Sequence, residues 1–407
     1  MHYWVNQFLA TPDSPGGTRH IDFAARLVGR GIPLELVGSD FNLTARTYGR
    51  RRSARDLPAV TQQVGDVRVH WLWAAPYRRN DWRRYANMVS FGGAVFSFLA
   101  RAPVTRDTVF IGSSPNLLAA QATAFAAAAR RVRFVLEVRD LWPESLIEVT
   151  GREGAVARGL RVIADDLYRR AHKIIVLTER NADAIAARGI ARDKFVYIPN
   201  SVDPSMFGEG SMMPPTTSTS AVVPPGKFCA IYAGAHGPAN DLDSLLDAAR
   251  LLAARGDDRV HIVLVGDGTE KPRLQKKALE ERLSNVTFLD PVPKAQIPWL
   301  FSQCHAGILV LRDLPLFRYG VSPNKLFDYM GASLPVVTNV AGDCADIVRQ
   351  SGCGLTVAPG DPSALAEGLS RLARDPGALT LGAAGRRHVM QHFNRERLVE
   401  RIVTLLV

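Results

Sequence analysis

The sequence predicts an α/β protein built from two doubly wound parallel sheets, and three observations carry that prediction. Its 407 residues exceed one ordinary core and suit two domains of roughly 200 residues each. Short, strongly apolar runs alternate with segments of helical period through both halves. Between the halves, residues 208–226 are rich in Pro, Ser and Thr and carry no apolar period, as a linker or flexible insertion does.

Taken in order, the apolar runs place strands at 4–8, 33–37, 68–73, 109–111, 133–138 and 173–177 in the first half. In the second half they place strands at 228–232, 261–265, 286–288, 306–311, 335–338 and 355–357. The expected domains are 1–207 and 227–385. Residues 386–407 hold a last helix that begins near Asn394 and shows Leu398, Ile402 and Leu405 on one face, suited to packing back on the first domain. Open sheets of this kind bind ligands beyond the carboxyl ends of their strands, so a cleft between two such domains is the expected active site.

Charge is uneven. Residues 1–207 hold 29 Lys and Arg against 19 Asp and Glu, net +10, whereas 208–407 hold 21 against 20, net +1. Part of the excess is concentrated in Arg46, Arg50, Arg51, Arg52 and Arg55, and part in Arg78, Arg79, Arg83 and Arg84. The second group precedes an apolar run, 88–100, too short to span a bilayer. A basic flank beside an apolar segment suits an anionic membrane surface or a lipid-phosphate substrate; a core helix beside a solvated loop is the plainer reading. No zinc-finger spacing, RNA-binding aromatic signature or continuous basic helix is present, so nucleic acid is not an expected partner. The chain opens on an apolar strand without a basic, cleavable leader, and a cytosolic location is expected, with contact to the inner face of the plasma membrane as an extension of the charge argument.

Cys229, Cys304, Cys344 and Cys353 lack Cys-x-x-Cys spacing and read as reduced core or loop residues. The nine His residues form no His-x-x-x-His pair, and Asp241 and Asp243 stand where a helix should begin, with capping as their expected task. No essential metal is expected.

The most informative stretch is 319–337. Ser322-Pro323 breaks the chain directly before an apolar helix that opens on Asn324 and carries Lys325 and Asp328. A helix N-terminus with its dipole and a lysine faces an anion, while a carboxylate at i+3 can reach ribose hydroxyls. Similar turns follow other strands: Gly16, Gly17 and Thr18 in the first half, and Gly234 with His236, and Gly266 with Asp267, in the second. Neither a complete G-x-G-x-x-G nor a Walker A sequence occurs, which disfavours nicotinamide enzymes and P-loop kinases.

Four motifs, Val-Leu-Glu-Val-Arg-Asp-Leu-Trp-Pro-Glu-Ser at 135–145, Ile-Pro-Asn-Ser-Val-Asp at 198–203, Val-Gly-Asp-Gly at 265–268 and Ser-Pro-Asn-Lys-Leu-Phe-Asp at 322–328, resemble retaining glycosyltransferase family 4 in order and spacing. The similarity runs to about residue 375 and is closest to the bacterial surface-polysaccharide branch, typified by N-acetyl-fucosamine transferases of O-antigen and capsule synthesis. The resemblance implies a GT-B fold of two Rossmann-like domains, a nucleotide-sugar donor in the second, an acceptor in the first, retention at the anomeric carbon and no divalent cation or other cofactor. Position by position, it assigns Asp328 to the ribose, Gly266 and Asp267 to the nucleotide loop, Val292 to the base, Gly16 and Gly17 to the loop over diphosphate and sugar, and Asp140 to the acceptor side. Three departures stand out: Gly320 where the family usually has Glu, Ala235 and Asn240 where it has the diphosphate-binding Arg and Lys, and Arg139 where it has His.

Without a metal, the charge on a departing nucleoside diphosphate needs protein cations and helix N–H groups. Lys325 is the first choice, with Arg318 and Lys271 as further candidates; Arg139 meets the sugar or acceptor. In a front-face path a leaving phosphate oxygen takes the acceptor proton, with Asp140 or Glu144 able to assist. The expected activity is transfer of an N-acetylated hexosamine or deoxyhexosamine, UDP-linked, to a polyprenyl-diphosphate saccharide. The alternatives are a nucleotide-sugar 2-epimerase on the same fold and a non-catalytic saccharide or membrane binder.

Overall fold

The structure, a computed structural model, describes residues 1–12, 17–43, 46–51, 53, 55–79, 81–151, 153–208, 224–314, 317 and 320–407. Gly16, Arg318 and the linker assignment over 209–223 lie outside the described residues.

The elements run β1 (His2–Val5), α1 (Arg19–Gly29), β2 (Leu34–Ser39), β3 (Phe41–Asn42), β4 (Thr47–Tyr48), β5 (Val60–Val64), β6 (Val67–Leu72), α2 (Trp82–Arg101), β7 (Val109–Ser113), α3 (Leu117–Arg130), β8 (Arg133–Val138), α4 (Glu144–Thr150), α5 (Ala155–Arg170), β9 (Lys173–Val176), α6 (Glu179–Ala186) and β10 (Phe195–Tyr197). They continue as β11 (Phe228–Ala233), α7 (Leu242–Ala254), β12 (Val260–Val265), α8 (Lys271–Glu280), β13 (Val286–Leu289), α9 (Ile297–Ser302), β14 (Ala306–Leu309), α10 (Asn324–Gly331), β15 (Val336–Thr338), α11 (Asp343–Ser351), β16 (Gly354–Thr356), α12 (Pro362–Arg374), α13 (Ala378–His392) and α14 (Arg395–Leu406).

Two compact units result, one of Met1–Pro199 with Glu396–Val407, the other of Asn200–Arg395. The division therefore falls at 199/200, ahead of the Pro-, Ser- and Thr-rich segment that the sequence suggests. Residues 386–395 stay with the second unit because α13 runs unbroken through 386.

In the first unit the strand order is β10-β9-β8-β7-β1-β2-β6-β5. All neighbours are parallel except β5, which pairs antiparallel with β6 at the edge. Parallel strands covered by helices on both faces must be apolar on both faces, and β2 and β7 are buried along their whole length. The edge strand β5 alternates half-buried and exposed positions, so no apolar run announces it; the signal that does is the two-residue turn Gly65-Asp66, with Gly65 at φ +56°. One core joins Trp4, Leu27, Leu36, Val69 and Ile111 to Leu398, Val399, Ile402 and Leu405 of α14.

In the second unit all six strands are parallel in the order β13-β12-β11-β14-β15-β16. Tyr232, Leu245, Leu264, Ile308 and Leu369 belong to its core. The order reverses between β11 and β14, and in such sheets the crevice at the reversal is where ligands bind. In the first unit the corresponding reversal lies between β1 and β7. All four cysteines are buried and free.

Candidate functional site

In the second unit the loops after β11 and β12 mesh through their backbones. Gly234 N–H donates to Val265 O over 2.9 Å, His236 N–H to Asp267 O over 2.8 Å and Glu270 N–H to His236 O over 2.9 Å. Gly266 makes this mesh possible: it holds φ +142°, and a Cβ there would stand 1.9 Å from Gly234 O. Asp267 caps its own loop, accepting from Gly268 N–H over 2.8 Å.

Beside this mesh α10 begins without a side-chain cap, with the extended Pro323 at its N-cap position, so side chains leave its first N–H groups unsatisfied. Its apolar face, Leu326, Phe327, Tyr329 and Met330, is buried and holds the helix in place. Ser322 fixes the approach: its Oγ accepts from Asn200 N–H over 3.0 Å, and its carbonyl accepts from the Asn200 amide.

Lys325 turns toward β11. Its ammonium donates to Tyr232 Oη over 2.7 Å, lies 4.0 Å from the Tyr232 ring centroid, and occupies space 2.7 Å from where a Cβ on Gly234 would be. Tyr232 in turn donates a hydrogen bond from its hydroxyl to Ala235 O over 2.8 Å. Desolvation lowers the Lys325 pKa from 10.5 to about 7. A buried lysine at a helix N-terminus has its charged form disfavoured, and an anion beside it would favour that form again. Tyr232 was not foreseen, because in sequence it is one more apolar residue of a buried strand.

Lys271 is different. Its ammonium donates to Gly266 O (2.9 Å), Leu289 O (3.1 Å) and Asp290 Oδ1 (2.7 Å), which uses all three protons to pin the ends of β12 and β13. Lys271 is thus a strut behind the loop and has no proton left for a diphosphate. His236 is fully buried, with neither ring nitrogen hydrogen-bonded, and burial lowers its pKa to about 4, so the ring is neutral. Asp328 is half-buried on α10, and Val292 is half-buried in the loop after β13. Asp241 stands at the N-cap position of α7 without a side-chain cap bond; its carboxylate accepts from Asn339 instead (3.2 Å), and Asp243 pairs with Arg273 (2.5 Å) and Lys277 (3.4 Å). The capping expectation therefore fails for this pair.

In the first unit, Gly17 is exposed and Thr18 precedes α1, its hydroxyl donating to Asp22 over 2.8 Å. Behind them lies a charged network that the sequence conceals. Glu137 of β8, fully buried, accepts from Arg19 Nε (3.2 Å), His20 Nε2 (2.8 Å) and Ser113 Oγ (2.6 Å). The Asn6 amide donates to His20 Nδ1 over 3.1 Å, which fixes the proton on Nε2. Burial alone would raise the Glu137 pKa, but the His20 and Arg19 partners hold it well below the usual carboxylate range; burial keeps His20 neutral. Arg19 further donates to the carbonyls of Ile198 and Pro199.

Two residues beyond Glu137, the backbone N–H groups of Arg139 and Asp140 turn to Ser114 Oγ at 2.9 and 3.4 Å. Arg139 Nε is buried without a hydrogen-bond partner. Asp140 reaches the surface, yet desolvation raises its pKa while Arg139 opposes the rise. These residues share the strand-end region of β1, β7 and β8. Glu144 does not join them: its Oε1 lies 3.5 Å from Arg188 and 3.8 Å from Arg161, so it serves the helices beside it. Arg78, Arg79, Arg83 and Arg84 are exposed beyond β6, at the start of α2.

Comparison with known proteins matches this architecture. The model for "Glycosyl transferase 4-like domain" covers residues 16–201 and that for "Glycosyl transferases group 1" covers 227–375. Probable glycosyltransferase WbjE of Pseudomonas aeruginosa is 24% identical over 268 residues, 64% of this chain and 64% of that protein. The putative colanic acid biosynthesis glycosyl transferase WcaI of Escherichia coli is 21% identical over 238 residues, 56% of this chain and 58% of that protein. The chain thus spans less than two thirds of the length of either relative. Anabaena HepE, solved with UDP and glucose, superposes with a TM-score of 0.71 at 17% identity, over 100% of this chain and 99% of that one. With one glycosyltransferase domain model on each Rossmann-like unit, the chain belongs to the glycosyltransferases of GT-B fold.

Proposed function

We propose that the protein is a retaining, metal-independent glycosyltransferase that moves a sugar from a UDP-linked donor to a polyprenyl-diphosphate saccharide, an N-acetylated hexosamine or deoxyhexosamine being the sugar. The observation that carries this reading is the convergence of Lys325, the uncapped start of α10 and the Gly234 and Gly266 loops at the strand-order reversal of the second unit. A relative named for colanic acid biosynthesis and a fold neighbour solved with UDP and glucose support the choice of substrates.

In this mechanism the diphosphate lies at the α10 N-terminus, where N–H groups and the Lys325 ammonium take up the charge that develops as the C1–O(phosphate) bond breaks. The acceptor oxygen bonds to C1 on the same face, and its proton passes to the departing phosphate oxygen, so no protein base is consumed. Asp328 holds the ribose and Val292 borders the base. On the acceptor side Arg139 and Asp140 orient the hydroxyl; Asp140, with its raised pKa, is better placed than the ion-paired Glu144 to share that proton. Reaction at the cytoplasmic face of the membrane fits a lipid-linked acceptor. Among the described residues no helix is long and apolar enough to cross a membrane.

The first test is the thermal midpoint with saturating UDP, GDP, dTDP and NAD: a ligand at about 100 times its Kd adds roughly 2.7 kcal/mol. A selective rise with UDP supports the donor assignment. Acceptor-dependent UDP release in the presence of EDTA, with the product anomer read by NMR, then tests transfer, retention and metal independence. A new sugar epimer without acceptor would replace the proposal with epimerisation, and no nucleotide effect at all would leave a binding protein.

A further inference from the structure

Helix α2 buries one side, through Asn87, Phe91, Val95 and Leu99, but its opposite side is apolar too. Trp82 (69% exposed), Tyr85, Val89 (57% exposed) and Phe96 follow one another at i, i+3, i+7 and i+14, with Gly93 between, and no charge interrupts that line over four turns. A helix that borders water normally carries its charged residues there.

Where α2 begins, the basic excess of the first unit comes together. Beneath its first turn opens a hollow of about 710 Å³ bordered by Tyr48, Tyr77, Arg46, Arg51, Arg78 and Arg83. Arg51 is committed to the fold, ion-paired with Asp40 at 3.0 Å and donating to the carbonyls of Asp56, Pro58 and Trp71. Arg46 contributes one N–H to Arg78 O. Among the described residues, no carboxylate pairs with Arg46, Arg78, Arg79, Arg83 or Arg84.

We propose that the outward face of α2 is a docking surface for an anionic lipid bilayer, with Trp82, Tyr85, Val89 and Phe96 set at headgroup depth and a lipid phosphate seated in the Arg46–Arg78–Arg83 hollow. The inference rests on the reading of a lipid-linked acceptor, which such a surface would present to the enzyme. Trp and Tyr favour the boundary between hydrocarbon and water, and an apolar face plus a cationic cluster gives the two signals that stable surface attachment requires. Charge favours an anionic occupant over a second copy of the chain: α2 itself carries no carboxylate that could meet these arginines, whereas a lipid phosphate can meet them.

The test is co-sedimentation of the full chain with vesicles of phosphatidylcholine alone and of phosphatidylcholine with phosphatidylglycerol, at low and high salt, with no donor or acceptor present. The parent should bind the phosphatidylglycerol vesicles, lose binding as salt rises, and bind phosphatidylcholine weakly. Arg78→Glu/Arg83→Glu should weaken binding by about 25-fold or more, since each basic residue at such a surface is worth a factor of about five. Trp82→Ser/Phe96→Ser should weaken it by about tenfold or more while keeping the salt dependence. All four side chains are exposed, so an unchanged thermal midpoint checks the fold of each variant.

Failure of the parent to bind, or full binding by the Trp82/Phe96 variant, overturns the proposal. So does a vesicle-free dimer that Trp82→Ser disperses, which would assign the stripe to self-association. Inorganic pyrophosphate that binds the Arg hollow while vesicles do not would assign it to a soluble phosphate compound and also overturn the proposal. Because the assay needs no turnover, a protein that docks yet transfers nothing refutes the transferase reading alone.

Discussion

Donor binding should weaken as pH rises through 7, and Lys325 is the reason. Its amine has a pKa of about 7 in the ligand-free protein, against 10.5 for an ordinary lysine, because desolvation disfavours the charged form. A bound diphosphate restores a partner for the cation and returns the pKa toward its ordinary value. Below pH 7 the free protein already carries the charge and binding is at full strength; above pH 7 a proton must be taken up with the ligand. Two pH units above the free pKa, that uptake costs about 2.7 kcal/mol, or about 100-fold in Kd between pH 6 and pH 9. A UDP-sugar is the right probe, since its diphosphate has no ionisation in this range. Calorimetry in buffers of different ionisation enthalpy should count nearly one proton taken up per donor bound at pH 8. Lys325→Met should bind weakly with no pH dependence and no proton uptake, and should lose roughly 10²–10³ in turnover. A flat Kd from pH 6 to 9 with no proton uptake in the parent would refute the assignment of Lys325 to the diphosphate.

Three further outcomes follow from the geometry. Gly266→Ala places a Cβ 1.9 Å from Gly234 O at φ +142°, and should lower stability by about 1–3 kcal/mol and abolish the UDP-induced rise in thermal midpoint. Glu137→Gln removes the charge that Arg19 and His20 address and should cost about 3–5 kcal/mol in denaturant unfolding, the buried Arg19 being left uncompensated. Lys271→Met should lower stability by about 1.5–3 kcal/mol through its lost carbonyl bonds, yet keep far more turnover at saturating donor than Lys325→Met, which separates a strut from a ligand contact.

The second sheet was legible because its inner strands are buried along most or all of their length and read as apolar runs: β11, β12 and β14 stand within a residue or two of where periodicity puts them. Edge position hid β5, whose Thr61, Gln62 and Gln63 dilute the signal, and shortness hid the β3–β4 pair and β10. The strand-end turns and the start of α10 were legible for a different reason, since Gly, Pro and Asn mark special backbone conformations. Side-chain direction was not. Lys271 and Lys325 both sit at helix starts in the second unit, and only the fold shows that one faces inward to carbonyls and the other lies over Tyr232. Glu137 was in plain view inside an apolar strand, where an isolated acid has to find partners; those partners, Arg19 and His20, are more than a hundred residues away in sequence.

The docking of α14 among Trp4, Ile198 and their neighbours has a bearing on how the chain is made. The first unit to leave the ribosome is the last to be finished, because its core waits for residues 396–407 while the whole second unit is synthesised in between. At ordinary elongation rates that wait lasts about 10–40 s. During it the apolar surface that Leu398, Ile402 and Leu405 will cover stays open, so the nascent chain is a natural client for a chaperone, and a stop codon directly after Arg395 would yield a complete second unit joined to a first unit that never closes.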